Sequence, residues 1–177
     1  VLDDDVVSDS TPLPFAFDYF GAPVTNWVMS SNGNLQLTTG AGSDEYRNVA
    51  IPDASPPNAM VAPFWDDLVV TRTPMPAAAR VLTTGSAPNR VFVAEWANYR
   101  PITAPDATAL TFQVKLYETT NVVEFHYCSI TGTADPLFGS SATIGIENAG
   151  GTNGLQVSYN TPMAIAAGSG FRFTPGP

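Results

Sequence analysis

The chain has one cysteine, one lysine and one histidine among its 177 residues, and only 13% of those residues are charged. Each shortage closes a class of explanation. With Cys128 alone, no intrachain disulfide can staple the fold, and the redox compartment cannot be read from bridges. A single His and a single Cys cannot build a zinc cluster. Seven basic residues against 16 acidic ones leave a net charge of -9, so a polyanion is repelled at long range and no basic stripe exists to overcome that. Nucleic acid is therefore excluded as a partner, and docking on anionic lipid is disfavoured for the same reason. No apolar run approaches the roughly 20 residues that span a bilayer. There is no Gly-x-Ser-x-Gly elbow, no glycine-rich turn leading into a helix, no Asn-x-Ser/Thr sequon and no helix-length periodic segment.

What is present points to strands. The apolar fraction is 44%, and 19 threonines, 12 serines and 11 asparagines supply the polarity that charge does not. Threonine suits a pleated surface because its branched carbon packs well there. The plainest pattern runs from Leu110 to Cys128. Leu110, Phe112, Val114 and Leu116 alternate with Thr111, Gln113 and Lys115, and Val123, Phe125 and Tyr127 alternate with Glu124 and His126. A turn at Thr119-Thr120 makes this a hairpin with Leu116 opposite Val123, Val114 opposite Phe125, Phe112 opposite Tyr127 and Lys115 opposite Glu124. One face is core and the other solvent. The Lys115–Glu124 pair is expected to contribute about 0.2 to 1 kcal/mol.

The rest of the chain reads as further short strands. Residues 1–12 are an acidic lead-in with at most one short edge strand. Leu13 to Phe20 alternates Leu13, Phe15, Phe17 and Tyr19 on one face. Extended pattern resumes at Asn26 to Ser31, and Ser31-Asn32-Gly33-Asn34 signals a type I′ hairpin turn. Thr39 to Asn58 reads as a long surface loop with at most one short strand near Asn48 to Ile51. Met60 to Trp65 is interrupted by Pro63, which predicts an edge or bulged strand. Further strands are expected at Asp67 to Arg72, Arg80 to Thr84, Val91 to Asn98, Ala142 to Glu147, Leu155 to Tyr159 and Gly170 to Thr174, with a proline-containing loop from Asn98 to Asp106. Thr161-Pro162 is expected to open one helical turn ending near Gly168. About ten to twelve short strands in a single domain, 1–177, predict an all-β fold, an antiparallel β-sandwich of jelly-roll type.

Few residues carry chemistry. His126 falls on the outer face opposite Gln113, with Glu124 and Cys128 as same-face neighbours, but a Cys-His pair without an orienting third group is a weak nucleophile. Cys128 sits on the outer set despite the general tendency of a lone cysteine to be buried. Glu95, Asp66, Asp67 and Glu147 lie near strands; a glycosidase would need two of them to converge across a cleft. Calcium, which takes oxygen ligands alone, is the more plausible metal, and Asp66 with Asp67 are its candidates beside a second acidic group at Asp3, Asp4, Asp5 and Asp9. Among the aromatics, Trp27 and Trp96 fall within strand alternation and read as core. Trp65 is a lesser candidate for contact, and Tyr46 and Tyr99, in long loops, are the better ones.

Five stretches, in this order and spacing, resemble a nidogen-like extracellular module. They are Val28-Met29-Ser30-Ser31-Asn32-Gly33-Asn34-Leu35; Ile51-Pro52 with Ala62-Pro63-Phe64-Trp65-Asp66-Asp67-Leu68; Ala87-Pro88-Asn89-Arg90 with Glu95-Trp96; Thr111-Phe112-Gln113-Val114; and Ile144-Gly145-Ile146-Glu147-Asn148. The resemblance spans roughly Leu13 to Thr174, and similar modules occur as appendages of large secreted bacterial proteins. It implies a non-catalytic β-rich unit outside the cell or on its surface, used in adhesion or matrix assembly. It implies no ligand residues. The chain departs from animal members in its disulfide-free core and in Lys115.

Three functions are therefore weighed. The first is a secreted or cell-surface binding module that contacts a protein or a polysaccharide. The second is a structural subunit assembling with copies of itself, with the Val1 to Asp9 segment donated as a strand to a neighbour. The third is a glycan hydrolase on a jelly-roll frame, whose catalytic pair would include Glu95 or Asp66.

Overall fold

The computed structural model describes residues 4–70 and 76–176; Asp3 and the Thr71-Arg72 end of one expected strand lie outside them. The described strands are β1 (Thr11–Tyr19), β2 (Ala22–Met29), β3 (Leu35–Gln36), β4 (Met60–Trp65), β5 (Leu68–Val70), β6 (Ala78–Thr84), β7 (Val91–Pro101), β8 (Ala109–Tyr117), β9 (Val123–Thr131), β10 (Thr143–Glu147), β11 (Gly154–Tyr159) and β12 (Gly170–Phe173). They form two antiparallel sheets. One runs β1-β2-β3-β4-β10-β11, and the other runs β12-β9-β8-β7-β5, with β6 also paired to β7. Because β5 takes Tyr99 to Pro101 and β6 takes Val91 to Ala97, the two strands lie end to end along the same flank of β7. The all-β sandwich expected from the short alternating runs is what forms.

Alternation decides which side chains fill it. Leu13, Phe15, Phe17 and Tyr19 of β1, Phe92, Ala94 and Trp96 of β7, Leu110, Phe112, Val114 and Leu116 of β8, and Val123, Phe125 and Tyr127 of β9 are all buried in one core. Trp96 stacks on Phe112 at 5.1 Å, and across the sheets Trp27 meets Phe92 at 5.3 Å and Phe64 meets Phe112 at 5.8 Å. Aromatics with a polar tip need a partner when buried. The Tyr127 hydroxyl donates to Pro63 O at 2.7 Å, Trp96 Nε1 donates to Ser30 O at 2.7 Å, and the Tyr19 hydroxyl donates to Met60 O at 2.6 Å. Trp96 and Tyr127 thus stitch the second sheet to the first at two points. Arg90 adds a clamp at the sandwich rim, donating to both Glu118 oxygens and to Pro14 O of β1. Those guanidinium bonds hold the Glu118 carboxyl down at about 2.

The hairpin from Leu110 forms in the expected register, with Leu116, Val114, Phe112 and Lys115 facing Val123, Phe125, Tyr127 and Glu124. Its ion pair does not form. Glu124 is taken instead by Tyr117, His126 and Arg172, the last brought alongside by β12.

Several other expectations need correction. Of the two forms expected for Met60 to Trp65, the bulged strand is found and the edge is not: β4 lies between β3 and β10, and every residue of it is buried. Pro63 is tolerated there because β4 carries one extra residue against β10: Ala62 to Trp65 spans three steps where Gly145 to Thr143 spans two, so Pro63 lies within the bulge. Burial on both faces has a simple cause. The loop from Thr39 to Asn58, which forms no strand, covers the outer face of β4, where Val49 and Ile51 pack with Met60, Ala62 and Trp65.

The Ser31-Asn32-Gly33-Asn34 turn is not type I′, since Gly33 alone of the four has positive φ, at 75°. It is also not a surface tip. Ser30, Ser31, Asn32 and Asn34 are fully buried, and Asn32 holds neighbouring segments to the turn with its amide. Its Nδ2 donates to Asp5 Oδ1 at 2.9 Å and to Asp44 O at 3.0 Å, while its Oδ1 accepts Leu68 N–H at 3.0 Å. No helical turn forms at Thr161 to Gly168; among the described residues the helical element is a 3-10 turn at Asp135–Phe138, carrying Pro136 in its first turn and closed by Gly139 at φ 95°.

The acidic lead-in also differs from a free strand. Val7 bridges Ser30, Ser8 N–H donates to Met29 O, and Ser31 N–H donates to Val6 O. Among the described residues of the segment, the backbone from Val6 to Ser8 is engaged within the chain.

Candidate functional site

The outer face of the second sheet carries an array of interlocked charged side chains. Its register places two rows across the strands. Arg80 of β6, Glu95 of β7, Gln113 of β8 and His126 of β9 lie side by side, and next to them run Leu82, Val93, Lys115, Glu124 and Arg172. The side chains interlock along these rows. Gln113 Nε2 donates to Glu95 Oε2 at 2.6 Å, and Arg80 pairs with Glu95 at 3.3 Å. Glu124 is the hub of the second group, bonded to His126 Nε2 at 2.9 Å, to the Tyr117 hydroxyl at 2.7 Å and to Arg172.

Partial burial pushes the Glu124 carboxyl up, but the bonds from Tyr117, His126 and Arg172 outweigh it and hold the group below its ordinary value. Tyr117 is pushed up to about 12 by burial and by the carboxylate it bonds. Three cations, Arg80, Lys115 and Arg172, stand here against two carboxylates, in a chain whose net charge is -9. Lys115 has no ion-pair partner among the described residues and is the one cation of the face left for a ligand.

Cys128 is exposed two residues beyond His126 on β9, where the register with β8 shifts. Its thiol contacts the His126 carbonyl at 4.0 Å, while the imidazole bonds Glu124, so the two side chains do not act on each other. Partial burial and Glu95 push the thiol up, away from the thiolate form a nucleophile requires.

The carboxylates proposed as a catalytic set do not converge. Glu95 is on the outer face of the second sheet, Asp66 follows β4 in the first, and Glu147 ends β10 at the opposite end of the β4–β10 ladder from Asp66. Glu147 is buried, with Oε2 accepting Asp53 N–H at 2.6 Å; burial and the nearby Asp53 charge raise it.

The acidic residues considered for calcium are regrouped. Asp66 is turned inward, 7% exposed, accepting Ser141 Oγ at 2.6 Å and Asp67 N–H at 2.9 Å. Burial raises it to about 7. Asp67 instead meets Asp4 and Asp5, with one oxygen from each carboxylate within 4.8 Å of the others. Asn32 draws these segments together by bonding both Asp5 and Leu68. Burial raises the Asp67 carboxyl, and the charges of Asp5 and Asp4 raise it further; the second of these contributions is the repulsion a bound cation relieves.

Of the aromatic candidates, Tyr99 is fully buried in β7 and offers nothing to a ligand. The β7–β8 register shifts between Trp96 and Tyr99, with Asn98 at φ 59°, and this bulge swings Tyr99 onto the core face. Trp65 is buried as well, its Nε1 donating to Glu45 O at 2.9 Å. Tyr46 is half-buried beside Arg47, whose guanidinium lies 4.6 Å from the ring centre. The rows on the second sheet were missed as a site because their members are far apart in sequence; the period-2 polar positions of β7, β8 and β9 were the available signal.

The profile of the family described as NIDO related matches residues 1–175, nearly the whole chain. The chain belongs to the NIDO-related family. The likeness read from the Ser30 to Leu35, Ala62 to Leu68 and Ile144 to Asn148 stretches therefore holds across residues 1–175. Two of those stretches have structural work in this fold: the first is the buried turn around Asn32, and the second supplies the core strand β4 and the Asp66-Asp67 pair that follows it. No curated protein and no solved structure matches the chain.

Proposed function

We propose that this NIDO-related unit is an extracellular, non-catalytic binding or adhesion module, and that it contacts a cell-surface polymer, protein or polysaccharide, through the outer face of its second sheet. The observation that carries this reading is the concentration of Arg80, Lys115, Arg172, His126 and Gln113 on one broad pleated surface of an otherwise acidic chain. A row of strands presents such groups at fixed spacings, about 4.8 Å between strands, which suits a repetitive ligand. The test is a binding screen of the domain against immobilised polysaccharides and surface proteins, at low and at physiological salt. Binding that weakens with salt and is lost in a Lys115→Glu/Arg172→Glu variant of unchanged melting temperature supports the reading. Binding unaffected by that variant rejects it.

Calcium belongs to this proposal at a relocated site. Asp4, Asp5 and Asp67 offer the oxygen donors, with Asp66 excluded by its bonds to Ser141 and Asp67. Calcium in excess of its dissociation constant is expected to raise the melting temperature, and Asp67→Asn is expected to abolish the response. A melting temperature indifferent to calcium and to chelator removes the ion from the account.

A further inference from the structure

The second sheet ends in a strand that nothing described covers. β6 pairs with β7 in an unbroken seven-residue register from Ala78 opposite Ala97 to Thr84 opposite Val91, and among the described residues its other edge pairs with nothing. Edge strands are normally guarded by proline, by a bulge, by several charges or by brevity. The other free edges have such guards. β1 carries Pro12, Pro14 and Asp18 and a register break; β11 is broken between Ile144 and Gly145 of its partner; β12 is four residues long and bears Arg172; β5 is three residues long.

β6 reads Ala-Ala-Arg-Val-Leu-Thr-Thr, with no proline and no bulge. Its one charge, Arg80, pairs sideways with Glu95 toward the sheet interior. Both faces of the strand are open: Val81 is 45% exposed on one, and its neighbour Leu82 is 62% exposed on the other. They are the only sequence-adjacent pair among the exposed large hydrophobic residues described.

We infer that β6 pairs edge to edge with β6 of a second copy of this chain, antiparallel about a two-fold axis. Self-pairing suits this edge for three reasons. The backbone groups along an antiparallel edge are complementary to their own two-fold image. In a chain of net charge -9, copies can approach where charge is least, and β6 carries no carboxylate. With Val81 opposite its own counterpart, Arg80 of one copy lies beside Leu82 of the other, so no like charges oppose each other and Leu82 is covered.

The pairing would continue the second sheet across the axis, and the two rows of polar side chains would run on into those of the partner as one surface. The pairing stands independently of the contact-face proposal, whereas the bivalent binding that follows from it rests on that proposal. A repetitive ligand held at two linked sites gains affinity by about tenfold or more without any new contact.

The test is sedimentation of the domain from micromolar to millimolar concentration, with hydrogen exchange measured at both ends. The inference predicts a concentration-dependent dimer, exchange at Arg80 to Thr84 that slows in the dimer, and a Val81→Lys/Thr83→Lys variant, changed only on the face of β6 turned away from the contact rows, that stays monomeric with an unchanged melting temperature. Such a variant should keep binding to short ligand fragments while losing the tenfold gain on polymer. A monomer at every concentration overturns the pairing, as does a dimer that survives the two lysines. If β6 becomes protected only on adding a different protein, the second copy is the wrong occupant. Failure to bind any polymer, with the dimer intact, overturns the contact face and leaves the pairing standing.

Discussion

Gly33→Ala is expected to cost more than about 4 kcal/mol and to leave little folded protein at physiological temperature. A Cβ at position 33 would stand 1.9 Å from Phe64 O, 2.9 Å from Phe64 C and 2.8 Å from Leu68 Cδ1. None of these can move aside cheaply. Phe64 belongs to β4, which is paired on both sides, and its N–H already donates to Gly33 O at 3.3 Å. Positive φ at Gly33 adds a further penalty of about 1 kcal/mol for any residue with a side chain. Gly21→Ala isolates that second contribution, because Gly21 has φ +77° and nothing within 4 Å of its Cβ position. Urea unfolding of both variants should show a small loss at 21 and a several-fold larger one at 33. Comparable losses would mean that the turn can rearrange and that β4 is not held against it.

Asp66→Asn is expected to stabilise the domain at pH 8 by up to about 4 kcal/mol and to leave it nearly unchanged at pH 4. The sign follows from the raised value. Burial lifts Asp66 from the ordinary 3.8 to about 7 in the folded state, so the protonated form is the one the fold prefers. Its contribution is complete below about pH 4 and is lost as pH rises through about 7, where folding must hold a charge that burial disfavours. Asparagine keeps the shape and both partners, accepting Asp67 N–H and donating to the Ser141 hydroxyl. Unfolding free energies of the two proteins, measured from pH 4 to pH 8, should diverge with rising pH. Parallel curves would show that the Asp66 carboxyl is not held up by its surroundings.

These two positions also mark how far the sequence could be read. The register of β8 on β9 was legible because a period of two and a short turn are local facts, and a slip of one residue would have exchanged core for solvent. The Lys115–Glu124 ion pair was not legible in the same way, since Arg172 reaches Glu124 from a strand almost fifty residues on. Tyr99 was misplaced because a bulge at Asn98 has no alternation to announce it, and the chain looked like loop where β7 continues to Pro101. Pro63 argued for an edge or a bulged strand on backbone chemistry alone, and the bulge in β4 that holds it lets the strand lie inside the sheet. Asn32-Gly33 carried a turn signal that was right about the glycine and wrong about the setting. Buried turns need side-chain partners from distant segments, here Asp5, Asp44 and Leu68, and periodicity cannot show those.

The candidate site was legible in part. Glu124, His126 and Gln113 were placed on one outer face by alternation, but the neighbours that complete the rows, Arg80, Glu95 and Arg172, come from three other strands. The acidic group was read as two separate runs. The buried amide of Asn32 joins Asp5 to the Asp67 segment, which moves the candidate cation site away from Asp66.

The contact face is tested most directly by backbone amide shifts recorded while the domain is titrated with the polymer identified in the binding screen. The account predicts that the largest changes fall on β7, β8, β9 and β12 around Glu95, Gln113, Lys115, His126 and Arg172, and that Lys115→Glu/Arg172→Glu abolishes them with the rest of the spectrum intact. Changes confined to the first sheet or to the loop over β4, with the second sheet undisturbed, would contradict it.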